Sequence, residues 1–429
     1  MSIIQLESKI KDGSAKVAVI GLGYVGLPNA VHYSKQGYSV NGIDSNPEKI
    51  NLLNAGESYI VDISEEEIKE YLSTSGFSND FELLAESDVI FIDVPTPIDN
   101  FNNPDVTYLE SASGSILKHA RKGQLIILES TTYPTSTVEF LVKPLEKLGF
   151  KVGTDIFVAF SPERIDPGNT KYHVGNTPRV VGGYTEVCTK LAAAIIGERA
   201  YSVSSIEVAE MSKLFENTFR FVNIALSDEL AKLCSNLNIS AFEVLESAST
   251  KPFGFMKFTP SSKIGGHCIA VDPFYLQWYM KGQGMDTPLI NASSTIDRSM
   301  TSFVTKKILK VLSGEEVPLY NCKVALIGVS YKKNVPDIRM SGVPVLYNEL
   351  KKYSIHVGVF DPYVEVIDID GREVQVSNIN YDEIGTYDIV VLLTAHDCID
   401  YVKLADFSKR ILDTEGVYIH ATDHNIYCL

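Results

Sequence analysis

The sequence predicts an α/β protein in which two doubly wound domains are joined by a long central helical region. Three observations support this fold class. Short apolar runs of strand length alternate with helical stretches, a central segment lacks Gly and Pro, and the strand pattern at the start of the chain recurs near its end. The predicted boundaries are 1–205 for an N-terminal domain, 206–316 for a central helical domain and 317–429 for a C-terminal domain.

The first predicted domain alternates strands and helices. A β-branched run at 16–20 precedes a glycine-rich turn and a segment with helical apolar spacing, and the next strand ends in Asp44. Further strands are predicted within 88–97, 124–134 and 155–163. Alternation of this kind is typical of a parallel sheet with helices on both faces.

The central segment is predicted to contain one or two long helices. No Gly or Pro occurs between Ile206 and Lys251, and the helical pattern continues to about Ser313. The helical interpretation rests on apolar residues that recur at helical spacing. These residues are Val208, Met211, Phe215, Val222, Leu226, Leu230 and Leu233.

The last part of the chain repeats the first. KVALIG, HVGVFDP and YDIVVLLTAHD follow the order and character of KVAVIG, SVNGIDS and SDVIFIDVPTP. We therefore predict a second doubly wound domain. The alternative is that KVALIG forms one more buried strand of a single large sheet.

Composition and charge exclude several functional classes. The 429 residues are 45% hydrophobic and 21% charged, as in folded globular proteins. With 38 basic and 54 acidic residues the net charge is −16, so we expect no nucleic acid and no anionic membrane surface as a partner. Because the sequence shows neither a signal peptide nor an apolar run of membrane-spanning length, we expect a cytoplasmic protein. The six cysteines lack CxxC spacing, so neither a zinc site nor a disulfide framework is predicted.

A glycine-rich turn between the first strand and the first helix of this domain predicts a dinucleotide site of the Rossmann type. Its first glycine permits a tight turn, its second lets a pyrophosphate approach the backbone, and its third allows close helix packing. An acid ending the next strand would bind the adenosine ribose and repel a 2′-phosphate, which favours NAD over NADP. The alternative is a simple glycine turn with a capping Asp. The predicted cofactor residues are Gly21, Gly23, Tyr24, Val25, Gly26 and Asp44.

The corresponding loop of the second repeat lacks this fingerprint. It begins at Gly328 and contains Lys332 and Lys333 in place of further glycines. We therefore expect no second dinucleotide there. The lysines could neutralise a phosphate ligand or be solvated surface residues.

A cysteine beside two glycines is a candidate nucleophile. Gly265 and Gly266 precede Cys268, and exposed backbone N–H groups at such a position favour the thiolate. Asp272, predicted to lie on the same helical face, could hold a water or a substrate hydroxyl. The alternative is a small buried hydrophobe, which is what we expect of the other five cysteines.

Two further pairs of residues are candidate catalytic groups, and each pair also has a purely structural interpretation. Lys213 and Asn217 lie one helical turn apart and could stabilise an oxyanion, or form part of a solvated helix face. Glu163 follows a predicted strand and could act as a general base, or form a loop ion pair with Arg164.

These segments together resemble the UDP-glucose/GDP-mannose dehydrogenase family over nearly the whole chain. The motifs occur in family order: GLGYVGLP, VPTP, EST, SPERIDPGN, EMSKLFENTFRFVNIAL, GGHCIAVDPFYL and YKKNVPDIR. Within the family, the chain is most similar to the branch that oxidises UDP-N-acetylglucosamine for surface polysaccharide. UDP-N-acetylgalactosamine and UDP-N-acetylmannosamine branches are alternatives. Pro167, where the UDP-glucose branch has a second glutamate, argues against UDP-glucose.

The resemblance implies an NAD-dependent, four-electron oxidation of a UDP-sugar at C6, through a thiohemiacetal and a thioester on Cys268. It assigns Lys213 and Asn217 to the C6 oxygen, Asp272 to the surroundings of the thiol, and Glu163 to the hydrolytic base. It also implies assembly as a homodimer or higher oligomer through the central helices. The remaining implied residues are Thr131 for water and cofactor, Lys49, Thr96 and Arg339 for the cofactor, and Arg164, Gly265 and Lys332 for the substrate.

Two interpretations that assign the protein to other functional classes remain open at this point. A two-electron dehydrogenase of the hydroxyacid type shares a Rossmann domain and a helical region with a catalytic Lys and Asn, but it needs no cysteine. An NAD-sensing binding module would turn over no nucleotide-sugar.

Overall fold

The structure is a computed structural model that describes residues 3–60, 62–99, 101–164, 171–314, 318–421 and 425–429. The chain divides into two compact units. Unit 1 comprises Met1–Glu216 and Phe274–Met285, and unit 2 comprises Asn217–Pro273 and Asp286–Leu429. Two of the three divisions between the units fall inside helices, and none lies at residue 205 or 316, so the three-domain division stays a prediction from the sequence.

Unit 1 is built on an eight-stranded sheet with the order β3-β2-β1-β4-β5-β6-β7-β8. All neighbouring strands are parallel except β6 and β7. The predicted α/β alternation is confirmed. The strands are β1 Lys16–Ile20, β2 Ser39–Ile43, β3 Gly76–Ser78, β4 Val89–Ile92, β5 Leu125–Leu128, β6 Phe157–Phe160, β7 Arg179–Gly183 and β8 Ala200–Ser202.

Helices cover both faces of this sheet, so its central strands are buried on both sides. Val17 and Val19 of β1 join one apolar core, while Ala18 and Ile20 join another. Such burial explains why the strands are continuously apolar instead of alternating. The helices are α1 Ile3–Lys11, α2 Gly26–Lys35, α3 Pro47–Asn54, α4 Glu65–Leu72, α5 Thr107–His119, α6 Lys143–Lys147 and α7 Glu186–Ile196.

Unit 2 contains a second parallel sheet, with the strand order β10-β9-β13-β14-β15, and a separate hairpin of β11 and β12. The second doubly wound domain predicted from the repeat is therefore present. The strands are β9 Lys323–Ile327, β10 His356–Phe360, β11 Val366–Ile369, β12 Arg372–Gln375, β13 Ile389–Leu392, β14 Ile411–Asp413 and β15 Ile426–Cys428. The remaining helices are α8 Ile206–Leu237, α9 Ala241–Ser249, α10 Asp272–Gly282, α11 Pro288–Leu312, α12 Val343–Lys351, α13 Tyr381–Ile384 and α14 Tyr401–Phe407. In the part of the chain that is described, no helix is long and apolar enough to cross a membrane.

Helix α8 confirms the predicted long helix. Of the apolar residues that recur at helical spacing, Phe215, Leu226 and Leu233 are mostly exposed, and Val208 is exposed as well. The buried face combines apolar residues, such as Leu214 and Phe221, with several polar ones. The buried polar residues are Glu210, Lys213, Asn217, Thr218, Ser227 and Asp228.

The cysteines divide by environment. All six are free thiols, and Cys188, Cys234 and Cys322 are buried as expected. Cys398 is exposed and Cys428 only half-buried, so the core prediction is wrong for Cys398.

Two buried acids hold the segment that leads to the Gly-Gly-His-Cys motif. Asp228 on α8 accepts a hydrogen bond from the Ser261 backbone N–H at 2.7 Å, and Asp297 on α11 accepts one from Ile264 at 2.7 Å. Burial, and then the nearby Asp297 charge, raise the pKa of Asp228 from 3.8 to about 8. Asp228 therefore stabilises this segment as a protonated carboxyl group.

We predict that Asp228→Asn makes the protein progressively more stable than the wild type as pH rises. The protonated Asp228 stabilises the fold fully below the unfolded pKa of 3.8, and this contribution is lost as pH rises towards the folded pKa of about 8. Asn keeps the acceptor oxygen for Ser261 and cannot ionise. Denaturant unfolding of both proteins at about pH 5 and about pH 8 checks this, and a difference in stability that is the same at both pH values would contradict it.

Candidate active site

The predicted cofactor and catalytic residues of unit 1 collect at one edge of its sheet. Gly21 follows β1, Asp44 follows β2, Thr96 follows β4, Thr131 follows β5, and Glu163 follows β6. Carboxyl ends of parallel strands meet at the same edge, and the strand order reverses between β1 and β4. Ligands of doubly wound sheets bind at this edge, beside such a reversal.

The glycine turn after β1 fits a dinucleotide. Gly21 has φ +91°, and a Cβ there would lie 2.6 Å from the Asp93 carbonyl oxygen. A Cβ on Gly26, where α2 begins, would lie 1.8 Å from the Gly21 carbonyl oxygen. Apart from Gly23 itself and its two chain neighbours, no atom of the described residues lies within 4 Å of a Cβ built on Gly23. The outer glycines therefore serve backbone packing, while Gly23 leaves the space that a pyrophosphate at the helix N-terminus requires. Tyr24 and Val25 are half-buried in the same turn.

Asp44 is held where a ribose-binding acid is expected. Its Oδ2 accepts the Leu22 backbone N–H at 2.9 Å, and its Oδ1 accepts that of Asn46 at 2.9 Å. The Lys49 ammonium lies 3.4 Å from Oδ2 and 5.8 Å from the centre of the Tyr59 ring. Sequence reasoning missed Tyr59, whose hydroxyl donates to the Leu22 carbonyl. The residues present thus fit the adenosine end of NAD.

The hydroxyl groups after β4 and β5 differ in burial. Thr96 and Thr131 are half-buried. Thr132, which sequence reasoning did not single out, is 1% exposed, and its hydroxyl makes no hydrogen bond with the described residues. A buried hydroxyl without a protein partner is a site for an ordered water or a ligand atom.

Glu163 and Lys213 lie together in unit 1. The Lys213 ammonium donates to the Glu163 carbonyl oxygen at 2.7 Å, and the Glu163 carboxylate accepts the Arg164 backbone N–H at 2.6 Å. The alternative ion pair of Glu163 with Arg164 is absent, because the Arg164 guanidinium pairs with Glu216. Lys213 is only 8% exposed, which excludes the solvated helix face. The rest of the SPERIDPGN motif, Pro167 included, lies outside the described residues.

Sequence reasoning also missed a buried charge cluster behind Glu163. The Arg179 guanidinium pairs with Glu129 and lies 3.4 Å from the Glu163 carboxylate. The Asn29 amide binds Glu129 and Asp93. These four residues are far from Glu163 in the sequence, and the order of the strands places them close to it in the fold.

The thiol of unit 2 lies in a turn. Cys268 is half-buried, and α10 begins only at Asp272, so the two residues do not share a helical face as predicted. The Asp272 backbone N–H nevertheless donates to the Cys268 carbonyl at 2.8 Å, which fixes their spacing. The Asn217 amide donates to the Asp272 carboxylate, and Asn217 is 6% exposed. Within unit 2 the structure therefore joins Asn217 to Asp272, and Asp272 to Cys268.

The two glycines before this turn pack against a tyrosine. A Cβ on Gly265 would lie 2.5 Å from Cβ of Tyr331, and one on Gly266, which has φ +85°, would lie 2.9 Å from its ring. The Gly266 N–H donates to the Arg339 carbonyl at 3.1 Å. Tyr331 stands next to Lys332, so the cysteine loop and the lysine loop are packed together in unit 2. Sequence reasoning missed Tyr331 because an aromatic residue beside two lysines carries no distinctive signal.

The basic residues of these loops have different partners. Arg339 pairs with Asp337; burial alone would raise the pKa of Asp337, but the hydrogen bonds and charge of Arg339 lower it overall. Lys333 forms an exposed ion pair with Asp397 at 3.0 Å. Lys332 is half-buried.

In unit 2, Asp361 makes the same kind of backbone contact as Asp44 does in unit 1, but a histidine side chain contacts this acid as well. The Val329 N–H donates to Asp361 Oδ2 at 2.7 Å, as the Leu22 N–H does to Asp44. His396 Nδ1 accepts the Asn334 N–H at 3.0 Å, so the ring proton lies on Nε2, which is 3.2 Å from Asp361 Oδ2. A buried histidine therefore contacts the acid that, at the equivalent place in unit 1, is contacted by the half-buried Lys49. The expectation that no second dinucleotide binds here stays a prediction.

Comparison with protein families gives three consecutive matches of one kind. Residues 15–198 match the NAD binding domain of the UDP-glucose/GDP-mannose dehydrogenase family. Residues 207–299 match its central domain, and residues 325–422 match its UDP binding domain.

Curated relatives and solved structures extend over nearly the same length. A UDP-N-acetyl-D-glucosamine 6-dehydrogenase of Pseudomonas aeruginosa is 38% identical over 89% of this chain and 90% of its own length. One from Salmonella typhi is 35% identical over 89% and 90%. A UDP-D-ManNAc dehydrogenase structure from Pyrococcus horikoshii has a TM-score of 0.85 at 29% identity, covering 96% of this chain and 98% of that one.

The family matches follow one another along most of the chain, and the site residues of unit 1 fit the cofactor that the first of them names. The chain belongs to the UDP-glucose/GDP-mannose dehydrogenase family, and NAD is its cofactor.

Proposed function

We propose that this protein oxidises the C6 hydroxyl of UDP-N-acetylglucosamine to a carboxylate, and so supplies a uronic acid precursor for polysaccharide. The identity to the Pseudomonas and Salmonella UDP-N-acetyl-D-glucosamine 6-dehydrogenases, 38% and 35%, carries this substrate proposal. UDP-N-acetylmannosamine is the second candidate, since a UDP-D-ManNAc dehydrogenase structure has a TM-score of 0.85. An NDP-N-acetyl-D-galactosaminuronic acid dehydrogenase structure from Methanosarcina mazei, at 26% identity, supports UDP-N-acetylgalactosamine less strongly.

The cofactor residues proposed are those of the glycine turn and the acid after β2. Asp44 and Lys49 would bind the adenosine ribose, Gly23 would admit the pyrophosphate, and Thr96 and Arg339 would complete the site. NAD, when bound, supplies the hydride acceptor for both oxidations. The negative charge of Asp44 repels a 2′-phosphate, which is the reason for NAD rather than NADP.

A four-electron oxidation requires a covalent bond between the enzyme and the aldehyde intermediate, and we propose that Cys268 forms this bond. Loss of a hydride from C6 to the bound cofactor, and of the hydroxyl proton to water, would give the aldehyde. The Cys268 thiolate would then add to C6 and form a thiohemiacetal with a negative oxygen. Lys213 and Asn217 stabilise the negative oxygen at C6, and Asp272 holds Asn217. Loss of a second hydride leaves a thioester. Arg164, Gly265 and Lys332 are proposed substrate contacts.

Hydrolysis of that thioester is assigned to Glu163, with Thr131 orienting the water. The water oxygen adds to C6, the bond between C6 and Sγ breaks, and Sγ leaves with the electron pair as a thiolate. One proton of the water passes to Glu163, and the other remains on the carboxylic acid formed. Support comes from the burial of Glu163 and from Lys213, which holds its carbonyl.

We also propose a homodimer or higher oligomer formed through the exposed apolar face of α8. Phe219, Leu226 and Leu233 lie along this face, beside Phe255 and Met256 of the following segment. Leu226 and Leu233 are 61% and 56% exposed. Contiguous apolar surface of this kind on a protein with −16 net charge is typical of an interface.

We predict two NADH per molecule of limiting UDP-N-acetylglucosamine under excess NAD, and a faster rate than with the mannosamine, galactosamine or glucose analogues.

Cys268→Ser should reduce uronate formation roughly 1,000-fold or more, since no thioester can form. Cys398→Ser, which changes an exposed thiol of the same unit, is the matched control and should leave turnover unchanged.

These assays separate the proposal from its alternatives. One NADH per sugar with full activity of Cys268→Ser would indicate a two-electron dehydrogenase. No turnover with any of the four sugars would indicate a binding module. A faster reaction with UDP-N-acetylmannosamine would move the substrate to the second candidate.

We predict that Asp44→Asn weakens NAD binding about 10-fold to 100-fold, because a charged acceptor for the ribose hydroxyls is lost. Isothermal titration with NAD measures this. Asp361→Asn is the matched control, since Asp361 has the same place in the second repeat, and it should leave the dissociation constant for NAD unchanged. Equal affinities of wild type and Asp44→Asn would refute the ribose assignment.

We predict that Leu226→Asp together with Leu233→Asp converts the oligomer to a monomer, because two charges would be buried at the interface. Sedimentation velocity measures the mass. Val402→Asp, which alters an apolar residue that is 75% exposed on α14, is the control and should leave the assembly intact. A wild-type monomer, or an oligomer that survives the double substitution, would contradict this interface.

A further inference from the structure

Four ionisable side chains meet at the carboxyl edge of the unit 1 sheet. Asp93, Glu129 and Glu163 follow β4, β5 and β6, and Arg179 is the first residue of β7. All four are buried, and Arg179 is 0% exposed. Because β7 runs antiparallel to β6, its first residue lies at the edge where β6 ends. This reversal brings one cation to three carboxyl groups.

Arg179 contacts two of the three acids with different atoms. Its Nη2 pairs with Glu129 and also donates to the Ser161 carbonyl at 2.7 Å. Its Nη1 lies 3.4 Å from Glu163 Oε2. The planar guanidinium therefore spans Glu129 and Glu163, as a fork of fixed geometry can.

The third acid, Asp93, is linked to the cluster through Asn29 and Glu129. Burial, and then the charge of Glu129, raise the pKa of Asp93 well above 3.8, and the charge of Arg179 offsets only part of this rise. The Asn29 amide donates to Asp93 Oδ2 at 3.1 Å and also to Glu129. Glu129 is thus fixed by Asn29 on one side and pairs with Arg179 on the other.

Two groups contact the Glu163 carboxylate, but only one of its oxygens accepts a hydrogen bond from the described residues. Oε1 accepts the Arg164 N–H at 2.6 Å. Oε2 faces Arg179 but accepts no hydrogen bond from the described residues, and Nε and Nη1 of Arg179 likewise find no acceptor there. From the neighbouring helix, the Lys213 ammonium binds the Glu163 carbonyl instead of the carboxylate. Oε2 is therefore oriented by charge and keeps a lone pair for a proton.

We propose that Arg179 is a positioning residue that orients the Glu163 carboxylate for thioester hydrolysis, with Glu129 holding the guanidinium and Asn29 fixing Glu129. This inference rests on the proposed function, in which Glu163 accepts the proton of the attacking water. Nothing in the two hydride-transfer steps requires Arg179, so its loss should affect hydrolysis selectively.

The test compares Arg179→Lys, Glu129→Gln and Glu163→Gln in the full-length protein. Lys keeps the charge but cannot span two carboxylates, and Gln at 129 keeps the size but releases the guanidinium. Each variant should form NADH in its first turnover at the wild-type rate and then hydrolyse the thioester about 10-fold to 100-fold more slowly. Intact-mass spectrometry of acid-quenched samples should show the uronyl adduct accumulating on Cys268. Arg121→Lys, at the amino edge of the same sheet beside Asp88, is the matched control and should show no adduct.

Each outcome has a defined meaning. Adduct in Glu163→Gln but in neither Arg179→Lys nor Glu129→Gln would overturn the positioning role while leaving the proposed function intact. No adduct in Glu163→Gln would overturn the base assignment and this inference with it. A smaller first-turnover burst without adduct would mean that Arg179 serves stability alone. If Arg179→Lys fails to fold, Glu129→Gln decides between these outcomes.

Discussion

In both units, the acid at the end of the second strand binds the backbone N–H that follows the turn glycine after the first strand. Asp44 binds Leu22 and Asp361 binds Val329, at 2.9 and 2.7 Å. This hydrogen bond fixes the loop over the carboxyl edge of each sheet, where the ends of parallel strands gather the functional side chains. The two acids differ in whether they can accept further hydrogen bonds from a ligand. Lys49 at 3.4 Å leaves Asp44 able to accept ribose hydroxyls, whereas a buried His396 occupies Asp361.

Much of the fold and part of the site could be predicted from the sequence, because both depend on local patterns. The β-branched run at 16–20, the glycines after it and Asp44 are contiguous signals, and the repeat near the end of the chain has the same signals. Cys268 could be singled out as a candidate nucleophile because two glycines precede it. Arg179 gave no such signal: it follows a proline in an ordinary apolar strand. Its proposed role depends on the antiparallel pairing of β6 and β7, which periodicity does not report.

Apolar periodicity located α8 but does not describe its two faces, for a physical reason. A rule that places apolar residues inside assumes that the interior is apolar. Here the interior beside α8 also contains Glu210, which takes four hydrogen bonds from Thr135, Ser136 and Thr137, and Asp228, which holds Ser261. Both acids can be buried because each has hydrogen-bond partners. Several apolar residues of α8 are then left on its exposed face.

The exposed face of α8 bears on the stability of the helix. Helices in proteins draw most of their stability from packing of apolar side chains rather than from propensity, and α8 leaves Leu226 and Leu233 largely exposed. Packing of Phe219, Leu226 and Leu233 against a second copy would supply the missing burial. Assembly would then hold the helix that carries Lys213 and Asn217 in place, so that in the proposed enzyme the interface supports the chemistry without contributing a catalytic residue.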